Sequence, residues 1–239
     1  MAIASIEYNS KNFSISYDLF HSQKKRTLTI LHGWGSNKEI MKSAFRDKFE
    51  NFKTIFIDLP GFGKSDNDFV LDSYDYAKII DLFLKQKNIQ KDIILGHSFG
   101  GKIATLLNPN ILILLSSAGI VTKKSLKIRA KIKLFKLLKP FGFSNLYKIF
   151  ASDDVKKMSQ NMYESFKKIV DEDFENEFKS FDHVALIFWG IDDSATPLSS
   201  GQKISKLIKN SSFYPLEGDH YFFLKHSKFI EQKVIDAIY

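Results

Sequence analysis

A chain of 239 residues, 44% of them hydrophobic, can bury the core of one large α/β domain with an insertion, which excludes a disordered protein. The absence of cysteine excludes disulfides, thiolate metal sites and a cysteine nucleophile, and no segment reaches the roughly eighteen uninterrupted apolar residues of a membrane span. The net charge of +8 is local: Lys123 to Lys139 holds eight basic residues and no acidic one, so the rest of the chain balances 27 basic against 27 acidic residues.

The first strands are expected at Ile3 to Tyr8 and Phe13 to Tyr17, close enough to pair as a hairpin. Thr27 to Leu31, Thr54 to Asp58, Ile93 to Leu95, Ile111 to Leu115, Val184 to Trp189 and Ser212 to Leu216 complete a set of eight. Helical patterns separate them at Lys38 to Phe49, Ser73 to Lys87, Phe99 to about Leu107, Ser199 to Lys209 and Ser227 to Ile238. Short apolar runs alternating with longer amphipathic ones predict a mostly parallel eight-stranded sheet covered on both faces, with an antiparallel start. Between the sixth and seventh strands the rhythm breaks. Residues 120–181 are expected to form a helical cap inserted into a core made of residues 1–119 and 182–239. Within this stretch Ile128, Ile132 and Phe135 recur at helical spacing, and Asp154 to Lys179 is charged and amphipathic.

The chemistry starts at Gly96-His97-Ser98-Phe99-Gly100, which follows the apolar run Ile93-Ile94-Leu95. A serine held on a sharp strand-to-helix turn needs small residues two positions to either side so that the backbones can pass, and Gly96 and Gly100 supply them. A serine hydroxyl also needs a base, and the base needs a third group to hold its tautomer. In hydrolases of this elbow type the order along the chain is serine, acid, histidine. Two carboxylates, Asp192 and Asp193, follow the seventh strand, with Asp193 preferred as the orienting acid; His220, after the eighth, is the expected base. The oxyanion hole requires backbone N–H groups, and the expected donors are Trp34, in His32-Gly33-Trp34-Gly35, and Phe99. The same two residues are expected to touch substrate.

Taken with Asp58-Leu59-Pro60-Gly61-Phe62-Gly63-Lys64-Ser65, Gly190-Ile191-Asp192-Asp193 through Pro197, and Gly218-Asp219-His220, these motifs resemble those of the α/β-hydrolase superfamily over essentially the whole chain apart from the cap. The resemblance implies a helical cap, and its spacing of glycine, acid and proline selects Asp193 over Asp192. The helix after the elbow is shorter than is usual in that superfamily. Trp34 in H-G-W-G, with the small size and the cap, resembles the carboxylesterases that remove the methyl group from pimeloyl-[acyl-carrier protein] methyl ester in biotin synthesis. That resemblance implies an acidic carrier as partner, for which the basic residues Lys123, Lys124, Lys127, Arg129, Lys131 and Lys133 would supply complementary charge. The plainer reading of those lysines is a solvated face in a chain with 32 lysines to three arginines, the bias of an AT-rich genome.

Two other readings stand beside the esterase. The capped C-C hydrolases of meta-cleavage type share the fold and triad and act on small anionic dienoates. A non-catalytic binding protein on the same scaffold, or an interfacial membrane helix around Leu134, Phe135, Leu137 and Leu138, belongs to a different class. His97 is expected to pack in the core, His32 to stabilise its turn, Asp58 to hydrogen-bond its loop, and His183 and His226 to lie on the surface; His21 belongs to no motif. Ser116 and Ser117 follow the sixth strand without an adjacent carboxylate. No nucleotide-binding glycine pattern or metal-ligand spacing occurs, so no cofactor is expected. An N-terminus without a basic and apolar leader pattern leads to the expectation of a soluble cytoplasmic protein.

Overall fold

The computed structural model describes residues 1–121 and 158–238. Eight strands form a single sheet: β1 (Ala2–Tyr8), β2 (Lys11–Phe20), β3 (Thr27–Leu31), β4 (Lys53–Ile57), β5 (Ile93–His97), β6 (Ile111–Leu115), β7 (Val184–Gly190) and β8 (Ser211–Leu216). Their order is β1-β2-β4-β3-β5-β6-β7-β8. β2 pairs antiparallel with both β1 and β4, and every later pairing is parallel. All five residues of β3 and of β5 are buried, as expected of central strands covered on both faces.

Period-two alternation divides the core between the two faces. Ile93, Leu95, Ile113 and Leu115 face α1 (Lys38–Phe45) and the C-terminal helix, whereas Ile94, Leu112 and Leu114 face α2 (Ser73–Gln86) and α3 (Phe99–Leu107). Between β6 and β7 lie α4 (Gln160–Ile169) and the single-turn α5 (Glu175–Ser180); α6 (Leu198–Leu207) and α7 (Phe223–Asp236) follow β7 and β8. Residues 122–157, including Lys123, Lys124, Lys127, Arg129, Lys131 and Lys133, the apolar group Leu134 to Leu138, and the periodic Ile128, Ile132 and Phe135, lie outside the described residues.

The largest departures from the sequence expectation fall in three helical stretches. α1 stops at Phe45 rather than Phe49, because Phe49 adopts a φ of 59° and gives its N–H to Glu231 Oε1 at 2.7 Å. α7 begins four residues earlier than Ser227: a first turn sinks Phe223 into the core, and the helix then kinks at His226. The amphipathic stretch up to Lys179 is broken, since residues 170–174 connect α4 to α5 and the Phe174 N–H bonds to the Gly119 carbonyl at 2.8 Å.

Candidate active site

β5 ends against β6, and the chain must reverse into α3 within one residue. That residue is Ser98, at φ 51° and ψ −114°, a strained conformation for a side chain with a Cβ. The ladder to β6 holds it, because Ser98 N–H donates to the Leu115 carbonyl and Ala118 N–H donates to the Ser98 carbonyl, each at 3.0 Å. A Cβ on Gly96 would lie 2.3 Å from the Gly100 carbonyl oxygen, so glycine there is a condition of the turn. Ser98 is half-buried and stands at the N-terminus of α3, where unpaired N–H groups and the helix dipole favour negative charge.

Beyond β7 the loop separates the two neighbouring carboxylates: Asp192 is exposed and Asp193 is buried. One oxygen of Asp193 accepts the N–H groups of Ala195 and Thr196 at 2.8 and 2.9 Å. The other accepts the Thr196 hydroxyl at 2.8 Å and lies 2.7 Å from His220 Nδ1. Burial alone would raise the Asp193 pKa, but the His220 bond and the Thr196 backbone bond outweigh it and hold the carboxyl at about 2. It is therefore ionised at neutral pH, a fixed acceptor that places the His220 ring proton on Nδ1 and leaves Nε2 able to take a proton. The loops carrying acid and base are locked together: Asp192 N–H donates to the Gly218 carbonyl at 3.0 Å, and a Cβ on Gly190 would meet the Asp219 carbonyl at 2.2 Å.

His97 is fully buried beside His220, with ring centroids 4.6 Å apart, and its Nε2 donates to the His220 backbone carbonyl at 3.0 Å. Burial, together with the neighbouring His220, pushes its pKa down to about 3, so it is neutral. Its Nδ1 has no hydrogen-bond partner among the described residues. His32 is buried as well, with a pKa lowered by burial to about 4; Nδ1 lies 2.7 Å from the Gly33 carbonyl and Nε2 3.0 Å from the Leu59 N–H. Asp58 is buried and accepts the Lys38 ammonium at 2.6 Å and the backbone N–H groups of Lys38 and Lys64 at 2.8 and 3.1 Å. His183 bonds the Pro109 carbonyl and His226 the Glu217 carbonyl, both away from Ser98.

A cavity of about 410 Å³ opens onto Ser98, lined among others by Trp34, Phe99, Phe166, Ile169 and Thr196. The Trp34 ring packs edge-on against Phe99 at 5.3 Å and Phe62 at 4.9 Å. Neither the Trp34 nor the Phe99 backbone N–H meets an acceptor among the described residues, so both are free to donate. Ser98 Oγ forms no hydrogen bond among the described residues either; contacts between nucleophile and base commonly tighten only when substrate is bound. The cavity also meets an ion pair between a buried lysine and a half-buried glutamate. Lys102, on α3, donates to Glu172 at 2.6 Å and to the Ile169 carbonyl at 2.9 Å, while Glu172 also accepts the Ser73 N–H at 3.2 Å and the Ser73 hydroxyl. Burial lowers the Lys102 pKa, and the bond to Glu172 partly offsets it. No group of three or more histidine or acidic side chains among the described residues could hold a metal ion.

Sequence reasoning named Ser98, Asp193, His220, Trp34 and Phe99, and the structure gathers them at the carboxyl ends of the strands, where open α/β sheets place their ligands. It missed Thr196, whose hydroxyl and N–H both serve Asp193; the signal available in the sequence was a hydroxyl three residues after an orienting acid. It also missed Lys102 and Glu172, which are 70 positions apart.

A family model described as the alpha/beta hydrolase fold matches residues 26–108. The uncharacterized hydrolase YugF of Bacillus subtilis is 23% identical over 243 residues, covering 85% of this chain and 86% of its own. A pimeloyl-[acyl-carrier protein] methyl ester esterase of Wigglesworthia glossinidia brevipalpis is 30% identical over 188 residues, 76% of this chain, and the match spans 66% of that esterase. Among solved structures, an esterase from Exiguobacterium antarcticum superposes with a TM-score of 0.74 at 20% identity over 98% of both chains.

Proposed function

The chain is a member of the α/β-hydrolase superfamily, and from that premise we propose that it is a serine carboxylesterase working through an acyl-enzyme. The observation that carries this reading is the 2.7 Å contact of His220 with a buried, ionised Asp193, next to a serine strained onto the end of α3. In the reaction, Ser98 Oγ attacks the ester carbonyl carbon and gives its proton to His220 Nε2. The N–H groups of Trp34 and Phe99 stabilise the oxyanion. When the intermediate collapses, the bond to the alkoxide breaks and His220 protonates the departing alcohol. Water, deprotonated by His220, then attacks the acyl-serine, and its breakdown returns the proton to Ser98 and frees the acid. Ser98→Ala tests this directly: hydrolysis of p-nitrophenyl butyrate should fall by several orders of magnitude, and full retention of activity would sink the assignment.

For the finer substrate, the methyl ester of pimeloyl-acyl carrier protein is favoured by the partial similarity to enzymes of that name and by the basic run around Lys123 to Lys133. An acidic carrier would meet that charge, in a cytoplasmic setting, with residues 120–181 serving as the cap over Ser98. The test compares kcat/KM for a dicarboxylate methyl ester on acyl carrier protein with the same acyl group on a small thiol, at low and high salt. A carrier preference that salt removes supports carrier recognition; equal rates point to a small-molecule esterase. The C-C hydrolase reading is weakened by Lys102: it is the cation lining the cavity among the described residues, and it is committed to Glu172 rather than available to a dienoate carboxylate.

A further inference from the structure

His32 has both ring nitrogens engaged, and the two contacts fix its tautomer. Nε2 faces the Leu59 N–H at 3.0 Å, so it must accept and carries no proton. The proton therefore sits on Nδ1 and is donated to the Gly33 carbonyl at 2.7 Å. The ring cannot turn away, because it is buried and packed edge-on against Phe62 at 5.5 Å.

The Gly33 carbonyl and the Trp34 N–H belong to one peptide unit. That peptide is trans, so its C=O and N–H point in opposite directions, and fixing one fixes the other. The unit lies against the nucleophile: a Cβ on Gly33 would sit 3.0 Å from Ser98 Cβ. Glycines on either side of Trp34, with Gly35 at φ 72°, give this stretch the freedom to turn the peptide over. Apart from His32, the Gly33 carbonyl is held by the Ser36 N–H at 3.2 Å.

We propose that His32 is a positioning residue: by holding the Gly33 carbonyl it aims the Trp34 N–H at the oxyanion, while contacting no reacting atom itself. The inference rests on the serine esterase reading. It gives the histidine of H-G-W-G a role in the reaction rather than in the stability of the turn alone.

Two isosteric substitutions separate the ring's two contacts. In His32→Asn the amide nitrogen takes the place of Nδ1 and keeps the donor to Gly33, leaving the Leu59 N–H without its acceptor. In His32→Gln the amide oxygen reaches the place of Nε2 and keeps Leu59 satisfied, leaving Gly33 without its donor. The expected result is a crossed pattern: with p-nitrophenyl butyrate, kcat of His32→Gln falls at least tenfold below that of His32→Asn with KM within twofold, whereas His32→Asn has the lower Tm. If kcat follows Tm, so that His32→Asn is worse in both, positioning is overturned and a stability role stands in its place. In the wild type, nitrogen-15 NMR of the imidazole should show the proton of His32 on Nδ1; a proton on Nε2 overturns the inference even if neither variant folds. A wild-type protein that neither hydrolyses the ester nor takes up a fluorophosphonate on Ser98 would remove the esterase reading and this inference with it. An active wild type with indistinguishable variants removes this inference alone.

Discussion

Two buried neutral histidines give this fold a specific weakness to acid. His32 and His97 have pKa values lowered to about 4 and about 3, first of all by burial, whereas an unfolded chain protonates histidine near pH 6.5. Between these values the unfolded state binds more protons, so stability falls as pH falls from about 6.5 toward the folded-state pKa. A pH of 5 lies about 1.5 units below the unfolded histidine pKa, which at about 1.4 kcal/mol per unit costs about 2 kcal/mol for each ring, or about 4 for the pair. Asp193 does not enter this window: its carboxyl, held at about 2, contributes stability that is lost only as pH falls below about 4. A loss of about 4 kcal/mol is a large part of the roughly 5 to 15 that hold a domain folded. Urea unfolding at pH 7 and pH 5 measures it. His97→Gln keeps a donor for the His220 carbonyl and removes one titrating ring, so its loss over the same interval should be about half that of the wild type. A wild-type loss of less than about 1 kcal/mol, or a loss in His97→Gln as large as that of the wild type, would show that these two rings do not govern acid stability.

Asp193→Asn should leave the loop folded but present a carboxamide to His220, lowering kcat for ester hydrolysis by about ten-thousandfold with little change in KM. Thr196→Val removes the hydroxyl bond to Asp193 and leaves both backbone donors, so steady-state kinetics should show a loss in kcat of about tenfold, the worth of one hydrogen bond. Lys38→Met strips the buried Asp58 of its counter-ion and should cost about 3 to 5 kcal/mol in denaturant unfolding.

The elbow was legible in the sequence because backbone crowding restricts what can stand two positions from Ser98, and Gly96 and Gly100 carry that restriction openly. The strands could be read because β3, β5 and β6 are short apolar runs between amphipathic helices. Asp192 and Asp193, adjacent on one loop, are separated in the sequence only by the glycine-acid-proline spacing of the family resemblance; the physical difference arises in three dimensions, where Asp193 is turned inward onto two backbone N–H groups. The second contact of His32 was hidden for a similar reason, since Leu59 lies 27 residues away and contributes a backbone group that no side-chain pattern reports. Lys102 belongs to no motif, and its burial depends on a glutamate 70 residues away. The start of α7 is not legible in the sequence because the kink at His226 interrupts the periodicity that marks a helix.

The pairing of Lys102 with Glu172 bears on how this protein could be re-engineered. Lys102 belongs to the helix behind the nucleophile, while its counter-ion sits in the segment that links β6 to β7. A transplanted segment without an acid at that place would strand a buried cation one helical turn from Ser98. The join between α3 and the segment linking β6 to β7 is therefore crossed by charge as well as by chain, and positions 102 and 172 have to be exchanged as a pair.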